Sequence, residues 1–137
     1  MRILGLDIGE KRIGLAVSDE LGITAQGLET LNRTEITKDL QQLIELIHAK
    51  GITKLVVGLP KNMNGSLGFQ AEEVQKLVAL LTGKCPLEVV YWDERLTTVA
   101  AQRTLLEGDI SRKKRKKAVD RIAAVMILQG YLDRIRK

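Results

Sequence analysis

The segment Ile3-Leu4-Gly5-Leu6-Asp7-Ile8-Gly9, with Lys11-Arg12-Ile13-Gly14-Leu15-Ala16-Val17-Ser18-Asp19 close behind it, constrains the fold more than any other part of the chain. Two apolar strands, 3–8 and 13–17, are separated by a turn at Gly9-Glu10 that is short enough for an antiparallel hairpin. Asp7 interrupts the first strand with apolar neighbours on both sides, although Asp disfavours strand interiors. A buried ionised carboxylate is costly unless it is paired or binds a metal. Asp7 therefore reads either as a side chain capping its own turn or as part of a metal or catalytic site, and the second reading is preferred.

Beyond the hairpin, strands alternate with helices. A third strand is expected over 25–31, weakened by Gly27. Ile36, Leu40, Leu43, Ile44 and Ile47 recur at helical spacing over 34–50, and Gly51 closes that helix. A buried strand over 54–59 stops at Gly58 and Pro60, and a polar, glycine-containing loop spans 61–68. Val74, Leu77, Val78 and Leu81 mark a helix over 71–81, and a strand over 87–92 runs into Asp93-Glu94-Arg95. Further helices are expected over 97–107, ended by Gly108, and over 114–134. Three antiparallel strands followed by two reached through helical crossovers give an α/β fold, a mixed five-stranded sheet flanked by helices. The 137 residues, without repeat or long linker, are expected to form a single domain over 1–137.

No apolar run approaches the ~20 residues that span a bilayer, and the opening residues read as a strand rather than a signal peptide. A cytoplasmic protein that does not engage membranes is expected. Cys85 is the only cysteine, which excludes an intrachain disulfide and suits a reducing compartment. His48, also alone, reads as a surface residue on its helix. The formal net charge is +5, and the excess is concentrated in the unbroken block Arg112-Lys113-Lys114-Arg115-Lys116-Lys117. Such a block attracts phosphate backbones and releases their counterions; its bland alternative is a solvated helix face. With one Phe, one Trp and two Tyr, base stacking is not the expected mode, and backbone recognition of a duplex or structured RNA fits better.

In open sheets with crossovers, sites form at the carboxyl ends of strands. Asp7, the loop after Pro60 and Asp93-Glu94-Arg95 all fall at such ends. Asp120 precedes the apolar run 122–128 and shares a helix face with Ala123, Ala124, Ile127 and Tyr131, which directs it toward the sheet. Its bland role is a partner for Arg12 or Arg121. Carboxylates from separate elements, with no His or Cys cluster, suit hard cations such as Mg²⁺ or Mn²⁺. Two such ions can activate water and stabilise a leaving oxygen in phosphodiester hydrolysis. Neither a P-loop, nor His-Glu-x-x-His, nor Gly-x-Ser-x-Gly occurs.

Four motifs, in order, carry a resemblance over essentially the whole chain: Leu4-Gly5-Leu6-Asp7-Ile8-Gly9 with Arg12-Ile13-Gly14; Gly58-Leu59-Pro60-Lys61-Asn62-Met63-Asn64-Gly65-Ser66; Asp93-Glu94-Arg95-Leu96-Thr97-Thr98; and Asp120-Arg121-Ile122-Ala123-Ala124. Together they resemble the YqgF/RuvX family of pre-16S rRNA nucleases, also described as Holliday junction resolvase-like, with an RNase H-like fold. The resemblance implies a role in maturing the 5′ end of small-subunit ribosomal RNA. It also implies a divalent-metal site built from Asp7, one acid of the Asp93-Glu94 pair, and Asp120. Glu94 is preferred, with Asp93 as its rival; if the strand keeps its alternation the two face opposite sides, so only one reaches the site. Arg12, Lys61 and Arg95 are candidates for holding phosphates, and Asn62 and Ser66 for sugar or phosphate oxygens.

Three other readings compete. A non-catalytic RNA-binding or ribosome-assembly factor would use the basic block equally well, but has no use for the carboxylates. A junction resolvase acting on DNA usually works as a symmetric dimer; Trp92 or the apolar side of the last helix would have to supply the face, and a homodimer stays open. An actin-type ATPase or sugar kinase shares the Asp7-Ile8-Gly9 turn but needs two domains, so it is disfavoured.

Overall fold

The computed structural model describes residues 2–60, 67–94 and 112–136, with the helical segment 112–121 as backbone alone. In chain order the elements are β1 (Arg2–Ile8), β2 (Arg12–Ser18), β3 (Ala25–Gly27), β4 (Leu31–Asn32), α1 (Ile36–Lys50), β5 (Ile52–Leu59), α2 (Phe69–Lys84), β6 (Glu88–Asp93) and α3 (Arg112–Ile135). One mixed sheet runs β3-β2-β1-β5-β6, with β4 also on β2. β1 and β2 are antiparallel, whereas β5 is parallel to β1 and β6 to β5. The expected helix over 97–107 lies outside the described residues.

The expected third strand is present as two. Ala16 pairs with Gly27 and Ile13 with Leu31, so four steps on one strand match three on β2. The extra residue is a bulge, and it brings the sheet to six strands; a bulge of this kind blunts an exposed edge. α1 begins two residues later than its periodicity predicts: Glu35 stays extended (φ −110°, ψ 145°) as its N-cap, and the Thr34 N–H donates to Asp39 Oδ1 (3.1 Å). Gly51 closes α1 in the left-handed region (φ 62°) as expected. α2 is longer than expected, starting after Gly68 and ending where the Cys85 N–H reaches Leu81 O, just before Pro86.

Strand alternation sorts the core into two layers. Leu4, Leu6, Leu15, Val17, Leu55, Val57 and Leu59 pack under α1 and α2. Ile3, Ala16, Val56 and Trp92 pack under α3, against Ala123, Ala124, Ile127, Leu128 and Leu132. Each such large side chain taken out of water contributes about 1.5–3 kcal/mol, enough for a single stripe to hold α3 down. Both surfaces considered for self-association are thereby consumed. Trp92 is 7% exposed and the apolar stripe of α3 faces the sheet. His48 is exposed as expected, with its Nε2 3.9 Å from the buried Cys85 Sγ.

Candidate active site

Asp7 lies on the α3 side of the sheet. Its neighbours at even positions, Leu4 and Leu6, face α1 and α2, while Ile3 faces α3. A Cβ on Gly5 would stand 2.8 Å from Leu128 Cβ and 3.3 Å from Ala124 O, so Gly5 is where the helix crosses β1. Asp7, two residues further along the strand, is 7% exposed and pairs across the hairpin with Gly14. The turn beyond it closes through Gly9 N–H donating to Arg12 O (2.9 Å).

Glu94 reaches the same side. A Cβ on Gly58 would meet Ile127 Cδ1 at 2.5 Å and Glu94 Oε1 at 2.9 Å, so the Glu94 carboxylate sits over Gly58, beside α3. Gly58 follows Val57, which pairs with Leu6; the next step along both strands sets Gly58 beside Asp7, one strand spacing away (~4.8 Å). Asp93 pairs with Leu59, whose side chain faces α1 and α2, and so falls on the opposite side. The alternation expected from the sequence therefore separates the two acids and groups Glu94 with Asp7.

α3 runs opposite to β1. Tyr131 OH accepts from Lys54 Nζ (3.0 Å) at the level of Ile3, while Ala124 and Leu128 contact Gly5. Position 120 is one turn before Ala124, about 6 Å nearer the carboxyl ends. Two strand residues cover a similar distance, so the helix backbone at Asp120 lies toward the same carboxyl end of the sheet as Asp7. The side chains of Asp120 and of Arg112, Lys113, Lys114, Arg115, Lys116 and Lys117 lie outside the described residues, as do Lys61, Asn62, Ser66 and Arg95 altogether. Arg12 is half-buried and pairs with Asn32 on β4. Among the described residues no three His, Cys, Asp or Glu side chains form a group able to hold a metal ion. The two carboxylates placed here offer an all-oxygen donor set, and the missing side chain at Gly58 leaves the space that Glu94 fills. Both features fit a hard divalent cation.

Three residues near the site carry less signal in the sequence than they carry in the structure. Gly58 reads in the sequence as a strand stop and the start of the second motif, whereas an isolated glycine in a strand also signals close approach. Arg33 and Asp39 carry no motif; their connection to the Gly9 turn exists only in three dimensions. Asp19, by contrast, is a plain turn carboxylate: its Oδ1 accepts from Ile23 N–H (2.7 Å) and Thr24 N–H (3.1 Å).

The family model described as "RuvX: Holliday junction resolvase" matches residues 1–134. This chain belongs to the RuvX family. It is 56% identical over 132 residues to a Clostridioides difficile (strain 630) protein, covering 96% of this chain and 94% of that one, and 55% identical over all 137 residues, the full length of both, to one from Clostridium perfringens (strain 13 / Type A). Each bears the name "Putative pre-16S rRNA nuclease". Thermus thermophilus RuvC in complex with Holliday junction substrate superposes with a TM-score of 0.63 at 15% identity, covering 100% of this chain and 97% of that one. The Fowlpox virus resolvase with its substrate Holliday junction DNA gives 0.59 at 14% identity over the full length of both chains. At that identity the likeness is one of fold, and it makes the architecture RNase H-like. By family this RuvX member is a nuclease, a hydrolase of phosphodiester bonds. Among the described residues no helix is long and apolar enough to cross a membrane.

Proposed function

We propose that this RuvX protein is a single-domain (1–137), metal-dependent nuclease that matures the 5′ end of pre-16S ribosomal RNA in the cytoplasm, with Asp7, Glu94 and Asp120 holding Mg²⁺ or Mn²⁺. The observation that carries this reading is the placement of Asp7 and Glu94 on one side of the sheet, at strand carboxyl ends, with the bare Gly58 between them. Two like charges gathered beside a buried strand, on a chain with an overall basic charge, call for a cation between carboxylates and phosphate. Bound divalent cations supply an activated water and charge stabilisation for hydrolysis of a P–O bond. The protein's own part is to fix the carboxylates on rigid strands and to hold the RNA. Arg12, Lys61 and Arg95 hold phosphates near the scissile bond, Asn62 and Ser66 contact sugar or phosphate oxygens, and the block 112–117 binds the backbone further out. The ribosomal RNA substrate follows from the names of the relatives, which match this chain end to end.

The test is cleavage of end-labelled precursor 16S rRNA fragments beside a four-way DNA junction, with Mn²⁺, Mg²⁺ or EDTA, using the parent and the Asp7→Asn and Asp120→Asn variants. Metal-dependent RNA cleavage, lost in both folded variants, is the expected result. Junction cleavage without RNA cleavage would transfer the reading to a resolvase. Tight RNA binding with neither substrate cut would transfer it to an assembly factor.

A further inference from the structure

The turn that follows Asp7 is held by more than a hairpin needs. Gly9 and Arg12 already close it through one backbone bond. From the segment after β4, Arg33 adds two more: its Nη1 donates to Gly9 O (2.7 Å) and its backbone N–H donates to Lys11 O (2.9 Å). Behind Arg33 stands Asp39 on α1, 1% exposed, with Oδ2 3.5 Å from Arg33 Nε and Oδ1 accepting from Thr34 N–H. A carboxylate removed from water beneath an exposed turn is a costly device, and a surface turn as such has no use for it. The chain of contacts runs from a buried carboxylate on α1, through one guanidinium, to the carbonyl two residues after Asp7.

Resting on the metal-site reading of Asp7, we infer that Arg33 and Asp39 are positioning residues, which hold the Gly9–Arg12 turn so that Asp7, just before it, keeps the orientation that cation binding requires. Arg33 is suited to this because its planar fork donates to the Gly9 carbonyl and at the same time forms an ion pair with the Asp39 carboxylate, whereas a lysine ammonium is a point charge on a flexible stem. Asp39→Asn retains the acceptor for Thr34 N–H and removes the charge that orients Arg33. The two residues act in series, so removing either releases the same turn and the double variant adds little.

The experiment measures Mn²⁺ binding to the full chain without substrate, by the free-Mn²⁺ electron paramagnetic resonance signal, together with the melting temperature. Asp39→Asn, Arg33→Gln, their double variant, Arg33→Lys and Asp7→Asn are compared with the parent. Ser18→Ala is the stability control: buried Ser18 Oγ accepts from Ile3 N–H (2.8 Å) at the far end of β1, so its loss lowers the melting temperature without touching the turn. Expected is a roughly tenfold weaker Mn²⁺ affinity in Asp39→Asn and Arg33→Gln, no further loss in the double variant, an intermediate value for Arg33→Lys, and parental affinity for Ser18→Ala. Asp7→Asn losing Mn²⁺ while Asp39→Asn and both Arg33 variants bind like the parent would overturn the inference and leave the metal site standing. Asp7→Asn binding as well as the parent would instead refute the metal site, and the inference with it. If Asp39→Asn does not fold, the two Arg33 variants decide the question on the same readout.

Discussion

Substituting Gly58 by Ala separates stability from chemistry at one methyl group. The added Cβ lies 2.5 Å from Ile127 Cδ1, 2.9 Å from Glu94 Oε1 and 3.4 Å from Glu94 Cγ. Carbon atoms settle at about 3.5–4.0 Å, so the Ile127 methyl must retreat by ~1 Å or more and the Glu94 carboxylate by roughly half an ångström. Overpacking of this kind costs about 1–3 kcal/mol, while a Gly→Ala change recovers about 0.4–1 kcal/mol by restricting the unfolded chain. The net loss, on the order of 1–2 kcal/mol, leaves a domain of ordinary stability (about 5–15 kcal/mol) folded. Activity responds far more steeply, because a misplacement near 1 Å can lower a rate on the order of 10²-fold.

Gly58→Ala should therefore melt a few degrees below the parent and lose about 10–100-fold in single-turnover RNA cleavage at saturating Mn²⁺. Adding Ile127→Val deletes the Cδ1 that makes the shorter contact, but leaves the contact with Glu94. The double variant should regain most of the melting temperature and little of the rate. Cleavage by folded Gly58→Ala within about twofold of the parent would show that the carboxylate over Gly58 takes no part in the chemistry. Recovery of rate together with stability in the double variant would assign the defect to packing alone.

Other positions give sharper tests of the fold. Gly5→Ala meets Leu128 Cβ at 2.8 Å and the Ala124 carbonyl at 3.3 Å, neither of which can rotate aside. It should cost about 2–3 kcal/mol or more in urea denaturation, exceeding Gly58→Ala. Tyr131→Phe removes the bond to Lys54 Nζ, the main cause that raises the Lys54 pKa above its ordinary 10.5. A raised pKa means the contribution is full below pH 10.5 and fades as pH climbs through the folded value, so the variant should lose about 1–2 kcal/mol at pH 8 and progressively less in strong alkali. Asp19 is held below the usual carboxylate range, first by Ile23 N–H and then by Thr24 N–H. Its contribution is present above about pH 3.8 and lost as pH falls further, so Asp19→Ala should lower the melting temperature at pH 7, with the gap to the parent shrinking as pH falls below 3.8.

The features legible in the sequence are those that depend on period and spacing. The hairpin around Asp7, the Gly51 cap and the small-residue face of the last helix each follow from a local rule, and each stands where that rule puts it. Alternation through Val90 and Trp92 likewise carries the information that Glu94 and Asp93 part company, although the sequence does not say which side α3 covers. The bulge between β3 and β4 was not legible, because it is a mismatch of register against β2 that shows only once the two strands are paired. Nor was the Arg33–Asp39 contact, since an arginine six positions before an aspartate on a helix carries no signal until the Gly9 carbonyl arrives from the turn between β1 and β2.

α3 joins the two halves of the proposed function mechanically. Its small-residue stripe is locked to the sheet at Gly5 by contacts in which a backbone carbonyl and a Cβ leave no slack, and Gln129 clamps the chain before β3 by accepting from Ala25 N–H and donating to Ile23 O. A helix fixed at residues 124–132 is fixed in register along its whole length, 1.5 Å per residue. Asp120 then lies toward the carboxyl end of the sheet that holds Asp7, and the block Arg112 to Lys117 begins about 5 Å further along the helix. On the proposed reading, the cation-holding Asp120 and the phosphate-holding block thus belong to one rigid rod, with the acid nearer the packed end of the helix and the bases further out. A shift of α3 would move both together, so on that reading the packing at Gly5, itself uncharged, bears on the site as well as on stability.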